Sequence, residues 1–235
     1  MPSAVNSPII LAVDTKDLAT AAAWIDCTRD SISTYKIGLE FFLTHGAAGI
    51  AELRRDREFS LFLDLKIHDI PNTVAGAVES VSHIAPEFLT VHAGGGAAMV
   101  RAAANVNPNI SITAVTILTS LSDEEVSEIG FAKNAHGSAL DLAEMATKNG
   151  AKSIVSSPFE VAEIRARVGS AITLITPGVR PVGSDKGDQS RVMSPADAIA
   201  AGSNYLVIGR PISGEWKNSP EAMNKAAAAI LDSLN

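Results

Sequence analysis

One cysteine, Cys27, leaves no partner for an internal disulfide and excludes a metal centre built from several thiolates. Positive charge is scarce as well. The formal net charge is −7, which argues against nucleic acid as a partner, because that binding rests on a basic footprint. The densest basic stretch, Arg54, Arg55 and Arg57, is interrupted by Asp56 and Glu58, and it reads as the solvated end of a helix. No apolar run approaches the roughly 18 residues that a spanning helix needs. The first residues lack a basic region followed by a long apolar stretch, so no signal peptide is expected. A soluble cytoplasmic protein with no membrane partner is the expectation. Aromatic residues are few, at 5%.

What is abundant is aliphatic: 46% of the 235 residues are hydrophobic, enough for one large domain spanning residues 1–235. Strand-like and helix-like segments alternate along the whole chain. Predicted strands lie at Pro8–Asp14, Tyr35–Leu39, Ser60–Asp69, Phe88–Ala93, Ser111–Leu118, Ser153–Ser157, Ala171–Thr176 and Asn204–Gly209. Helices are expected between them, with a closing helix at Pro220–Leu234. Continuously apolar strands in eight such units imply a parallel sheet covered on its faces. Count and length fit a single-domain α/β fold, the (β/α)8 TIM barrel. A doubly wound open sheet is the runner-up. It would usually carry a glycine fingerprint after the first strand, where Asp14-Thr15-Lys16 stands instead.

The most informative stretch is Ser60–Val74, SLFLDLKIHDIPNTV. Side chains at i and i+2 of a strand share a face, so Asp64 and Lys66 are expected to project together, opposite Leu61, Leu63, Leu65 and Ile67. Pro71 ends strand pairing near Asp69. Charged groups in an apolar strand are costly to bury unless they pair. A structural ion pair is one explanation; a reactive site is the other. Barrel enzymes carry their chemistry at the C-terminal ends of the strands. Those ends here supply Asp14, Lys36, Asp64 with Lys66, His92, Thr116 with Thr119, Thr176, and Gly209 with Arg210. Each has an ordinary explanation, such as helix capping for Asp14 or β propensity for the threonines. The loops after the seventh and eighth strands, TPGVRPVGSDKGDQSR and Gly209-Arg210, combine glycines with arginines suited to phosphate oxygens.

A barrel lysine serves as a Schiff-base former, a general base, or a fixed cation that stabilises developing negative charge and delivers a proton. The first two roles need a neutral amine. Asp64 beside Lys66, with Asp69 near, favours the third. Lys36 extends this into a chain of alternating charges.

The run DLKIHDIPNT, Asp64–Thr73, resembles the signature of the bacterial-type orotidine 5′-phosphate decarboxylases. YKIGLEFF, VHAGGGAAM, ILTSL, TPGVRP…GDQSR and YLVIGRPI resemble further segments of that family in the same order, covering nearly the whole chain. Gly94, and Met193-Ser194 before Pro195, depart from the family pattern at peripheral positions. The resemblance implies decarboxylation of orotidine 5′-monophosphate to UMP without a cofactor or metal, in a homodimer with shared sites. It implies that Lys66 protonates C6, that Asp64 flanks the leaving carboxylate, and that Asp69 reaches in from the partner subunit with Ile70 and Thr73. Lys36 and Asp14 would hold the ribose, Thr119 or Ser120 the pyrimidine edge, and Gln189 both base and phosphate. Arg180, Gly209 and Arg210 would lie at the phosphate, and the segment from Gly183 to Arg191 would close over it. Two rivals stand beside this reading. One is a magnesium-dependent sugar-phosphate lyase or decarboxylase of the same superfamily, against which the His-Asp-Ile-Pro-Asn-Thr continuation and the Gly-Asp-Gln loop argue. The other is a non-catalytic barrel that binds phosphoribosyl ligands.

Overall fold

Eight parallel strands, in the order in which they occur in the chain, close into a barrel, the eighth pairing with the first. The computed structural model describes residues 7–181 and 193–234. The strands are β1 (Ile9–Ala12), β2 (Thr34–Gly38), β3 (Ser60–Ile67), β4 (Phe88–His92), β5 (Ser111–Val115), β6 (Ser153–Val155), β7 (Thr173–Pro177) and β8 (Tyr205–Ile208). Around them lie α1 (Leu18–Thr28), α2 (Leu39–Arg54), α3 (Pro71–Ser82), α4 (Gly96–Ala104), α5 (Asp123–Glu128) and α6 (Ala135–Lys148). The remaining helices are α7 (Val161–Val168), α8 (Pro195–Ala200), α9 (Arg210–Ser213) and α10 (Pro220–Asp232). The expected TIM barrel is therefore the fold, and the open sheet is excluded by closure between β1 and β8.

The two-residue period of the strands divides the core in two. Residues on one face, among them Ile9, Leu11, Tyr35, Ile37, Leu61, Leu63, Leu89 and Val91, pack outward with the helices in one continuous apolar cluster. Residues on the other face point into the barrel. Ile10, Phe62, Phe88 and Ile175 form an interior layer with Val155, Tyr205 and Val207 packed against it. Phe88 meets the rings of both Phe62 and Tyr205 edge-on, at 5.8 and 5.6 Å between centroids. The barrel axis is thus filled, as in other barrels of this kind. Polar residues next along the inward face, toward the C-terminal ends, stand on this apolar floor.

Local chemistry sets the helix starts. Asp17 Oδ1 accepts from Thr20 N–H at 2.7 Å to cap α1, and Ser122 with Glu125 forms a reciprocal capping box at α5. Pro71 is the first residue of α3, because a proline there forfeits no helical hydrogen bond. β5 ends at Val115, not Leu118, and β6 at Val155, not Ser157, leaving longer loops at the C-terminal mouth.

The basic stretch departs from its solvated reading. Arg54 donates through Nη1 to Ile84 O at 2.6 Å and through Nη2 to Phe59 O at 3.2 Å, tying α2 to the connections before β3 and after α3. Arg57 pairs with Asp26 at 2.7 Å. Only Arg55 stays exposed, paired to Glu52 one turn away. Among the described residues, no helix is long and apolar enough to cross a membrane.

Candidate active site

At the C-terminal mouth four charged side chains from three adjacent strands form one alternating series. Lys36 Nζ, from the middle of β2, lies 3.0 Å from Asp14 Oδ1 and 3.5 Å from Asp64 Oδ2. Lys66 Nζ donates to both oxygens of Asp64, each at 2.8 Å. The order Asp14, Lys36, Asp64, Lys66 gives each inner charge two opposite neighbours. Asp64 is 9% exposed, yet it pairs with Lys36 and accepts from Lys66 and from Thr90 Oγ1, the last at 3.0 Å. Burial pushes its carboxyl up; the Lys36 and Lys66 charges and the hydrogen bonds outweigh that and hold it below the usual carboxylate range. For Lys36, burial pulls the ammonium down, and the charges of Asp64 and Asp14 more than reverse it.

Asp64 and Lys66 share a face as expected, but by an irregular route. The β3–β4 ladder runs Phe62 with Phe88 and Leu63 with Leu89, then resumes at Ile67 with Val91. Three β3 residues, Asp64 to Lys66, thus face the single β4 residue Thr90. Lys66 takes a left-handed backbone, φ 48°, rare for a residue with a side chain and costing about 1–2 kcal/mol. Its N–H donates to Thr90 Oγ1 at 2.8 Å. Thr90 was missed by sequence reasoning; its one signal is a hydroxyl in the otherwise apolar start of FLTVH.

A cavity of about 180 Å³ opens beside the two lysines and Asp64, walled by Phe62, Val115, Val155 and Val207, with Thr119 at its edge. Its wall also holds Ser156, a buried hydroxyl with no hydrogen-bond partner among the described residues and a second residue unforeseen from sequence. A second cavity, about 220 Å³, is shared by Asp14, Lys36, Asp64 and Lys66 with Thr15, Gly38 and Leu39. Ser120 does not border either of these; it lines an adjacent hollow with Thr119 and Ser157. Gly209, at the end of β8, adjoins the series: a Cβ there would come 3.7 Å from Asp14 Oδ2. Arg180 and Arg210 border a wider cavity of about 570 Å³, and Arg210 opens the short helix α9, which was not anticipated. Gln189 and the segment from Gly183 to Arg191 lie outside the described residues.

Other expected members are not brought to the series within one chain. Asp69, Ile70 and Thr73 are exposed around the start of α3, and Asp69 Oδ1 accepts from the N–H of Ile70 at 2.6 Å. Ile70 is 67% exposed. Two threonines counted among the strand-end groups serve structure instead. Thr116 Oγ1 donates to Val155 O at 3.2 Å, and Thr176 Oγ1 bonds Ser203 Oγ at 2.6 Å with no exposure. His92 is half-buried, its ring 5.6 Å from that of His68, and burial, His68 and Lys66 together disfavour its protonated form.

Known proteins resemble this chain in sequence and fold. The chain is 51% identical over 228 residues to the orotidine 5′-phosphate decarboxylase of Thermobifida fusca, covering 97% of this chain and 96% of that one. It is 42% identical to the protein of the same name from Frankia casuarinae, over 96% and 88% of the two chains. The crystal structure of orotidine 5′-phosphate decarboxylase from Lactobacillus acidophilus superposes with a TM-score of 0.83 at 31% identity, covering 97% and 99%. The sequence profile named Orotidine 5′-phosphate decarboxylase / HUMPS matches residues 7–226, and the chain belongs to that family.

Proposed function

We propose that this protein decarboxylates orotidine 5′-monophosphate to UMP and carbon dioxide, the last step of pyrimidine nucleotide synthesis. Family membership and the relatives' shared name support the reaction. The observation that carries it is the position of Lys66 Nζ, held 2.8 Å from both oxygens of the buried Asp64 at the barrel mouth. In the step itself the bond from C6 to the carboxylate breaks, its electron pair stays on C6, and the Lys66 ammonium supplies the proton that fills C6. Asp64 lies beside the departing carboxylate and orients Lys66. Charge develops on a ring carbon with no conventional electron sink, a problem on the scale of about 20 kcal/mol of barrier reduction. One lysine does not supply that. Binding energy from the ribose and phosphate, remote from C6, contributes by ordering the site.

In this reading Asp14 and Lys36 hold the ribose hydroxyls, Thr119 contacts the pyrimidine edge, and Arg180, Gly209 and Arg210 receive the phosphate. Gln189 would bridge base and phosphate. Asp69, Ile70 and Thr73 complete the site of a second copy, making the working unit a homodimer. The exposed apolar side chains of Ile70, Leu39 and Leu43, the last two one turn apart on α2, support that assembly. The cytoplasm is the proposed compartment.

The test follows the loss of orotate-ring absorbance when protein meets orotidine 5′-monophosphate with EDTA present. Rapid loss in the wild type, reduced at least about 10³-fold in Lys66→Ala, is the expected result. Activity abolished by EDTA would favour a metal-dependent sugar-phosphate enzyme. No turnover, despite tight UMP binding, would leave a nucleotide-binding barrel.

A further inference from the structure

The interrupted ladder between β3 and β4 poses a local problem. Asp64, Leu65 and Lys66 face one β4 residue, and Lys66 is held at φ 48°, a conformation that its side chain disfavours. A conformation of that kind persists only where neighbouring groups over-determine it. Thr90 is the group in position to do so. Its side chain is fully buried on the barrel's inward face, and its one hydroxyl is used twice. As acceptor it takes the backbone N–H of Lys66 at 2.8 Å, and as donor it gives its proton to Asp64 Oδ1 at 3.0 Å. Packing alone does not explain a hydroxyl here. Valine has the same shape and the same strand preference, and a buried hydroxyl is unfavourable unless it is bonded.

We propose that Thr90 is a positioning residue: its hydroxyl locks the left-handed turn at Lys66 and the rotation of the Asp64 carboxylate together, so that the ammonium stays aimed at the reacting carbon. The inference rests on the decarboxylase reading above and adds a residue outside the substrate-contacting set. Thr90 acts only through Asp64 and Lys66. Its removal therefore affects the chemical step and spares the grips on ribose and phosphate, which lie on other strands.

Thr90→Val and Thr90→Ser are compared with the wild type in steady-state decarboxylation, UMP binding and thermal unfolding. Thr90→Val is expected to lower kcat by roughly 10- to 100-fold with KM and UMP affinity within about twofold. Thr90→Ser, which keeps the hydroxyl and loses a methyl, is expected to recover most of that loss. A valine variant as fast as the wild type would overturn the inference, as would a serine variant no better than valine, or a loss confined to KM. Should Thr90→Val fail to fold, Thr90→Ala against Thr90→Ser makes the same comparison, and equal rates for the two would overturn it. A wild type without turnover would remove the decarboxylase reading and this inference together; a wild type with turnover and an unaffected variant would remove this inference alone.

Discussion

At the scale of single residues, Asp64 is the pivot. Two lysines converge on a carboxylate that is almost wholly removed from water, and each partner is tolerable there only because of the others. Asp64→Asn keeps the shape, removes the charge, and leaves Lys36 and Lys66 facing each other. It is expected to cost about 3 kcal/mol at neutral pH, the low end for a broken buried pair because the Lys66 side chain is about a third exposed. The sign of the pH dependence follows from the depressed Asp64 carboxyl. Its contribution is complete above the unfolded value near 3.9 and is lost as pH falls through the lower folded value. Urea unfolding of wild type and variant should therefore show a constant gap from about pH 5 to 9 that narrows toward about pH 3; a gap unchanged at the acid end would contradict the assignment. The raised Lys36 acts oppositely, stabilising fully below its unfolded value near 10.4 and losing effect as pH rises beyond its folded one. The pairing of Asp64 with Lys66 was legible from a spacing of two. The left-handed backbone that delivers it was not, since lysine rarely adopts it and no local residue type announces it. Thr90 was equally silent, because a threonine in a strand is ordinary until its neighbours across the ladder are known.

Elements were the most legible scale. Alternating apolar strands and amphipathic helices gave eight units in order, and the structure arranges all eight in one closed sheet. What escaped were features without a periodic signature. α9 is four residues long, too short for a pattern, and it begins at Arg210, where a strand end had been read. α2 reads as one helix over Leu39–Arg54, yet Gly46 breaks it with φ 60° and ψ −157°. Only glycine reaches that conformation without strain. Gly46→Ala should lose about 1–3 kcal/mol in chemical denaturation, although nothing lies within 4 Å of the added methyl. A neutral result would mean that the kink relaxes into continuous helix. Asp69 and Ile70 carry a recognisable motif, yet both are exposed at the start of α3, and Asp69 bonds locally to the Ile70 N–H; in the proposed dimer their place belongs to a second copy.

At the scale of the whole molecule that proposal has a sharp consequence. Lys66→Ala and Asp69→Ala should each be nearly inactive alone. Mixed and allowed to exchange subunits, they should regain about a quarter of wild-type activity, because half the dimers are mixed and each mixed dimer rebuilds one site from two intact halves. No recovery, in a mixture shown to exchange, would place Asp69 and Lys66 of one chain in the same site or Asp69 outside it.

Closure of β8 against β1 puts Gly209 beside Asp14, nearly the full length of the chain away. Until those two ends meet, Lys36 and Asp64 have partners but the mouth has no finished rim. Such a pairing is the most non-local in the fold and the slowest kind to form. Any ligand that spans Asp14 and Gly209 acts as a clasp on the seam, raising the melting temperature with the logarithm of its concentration once that exceeds its dissociation constant.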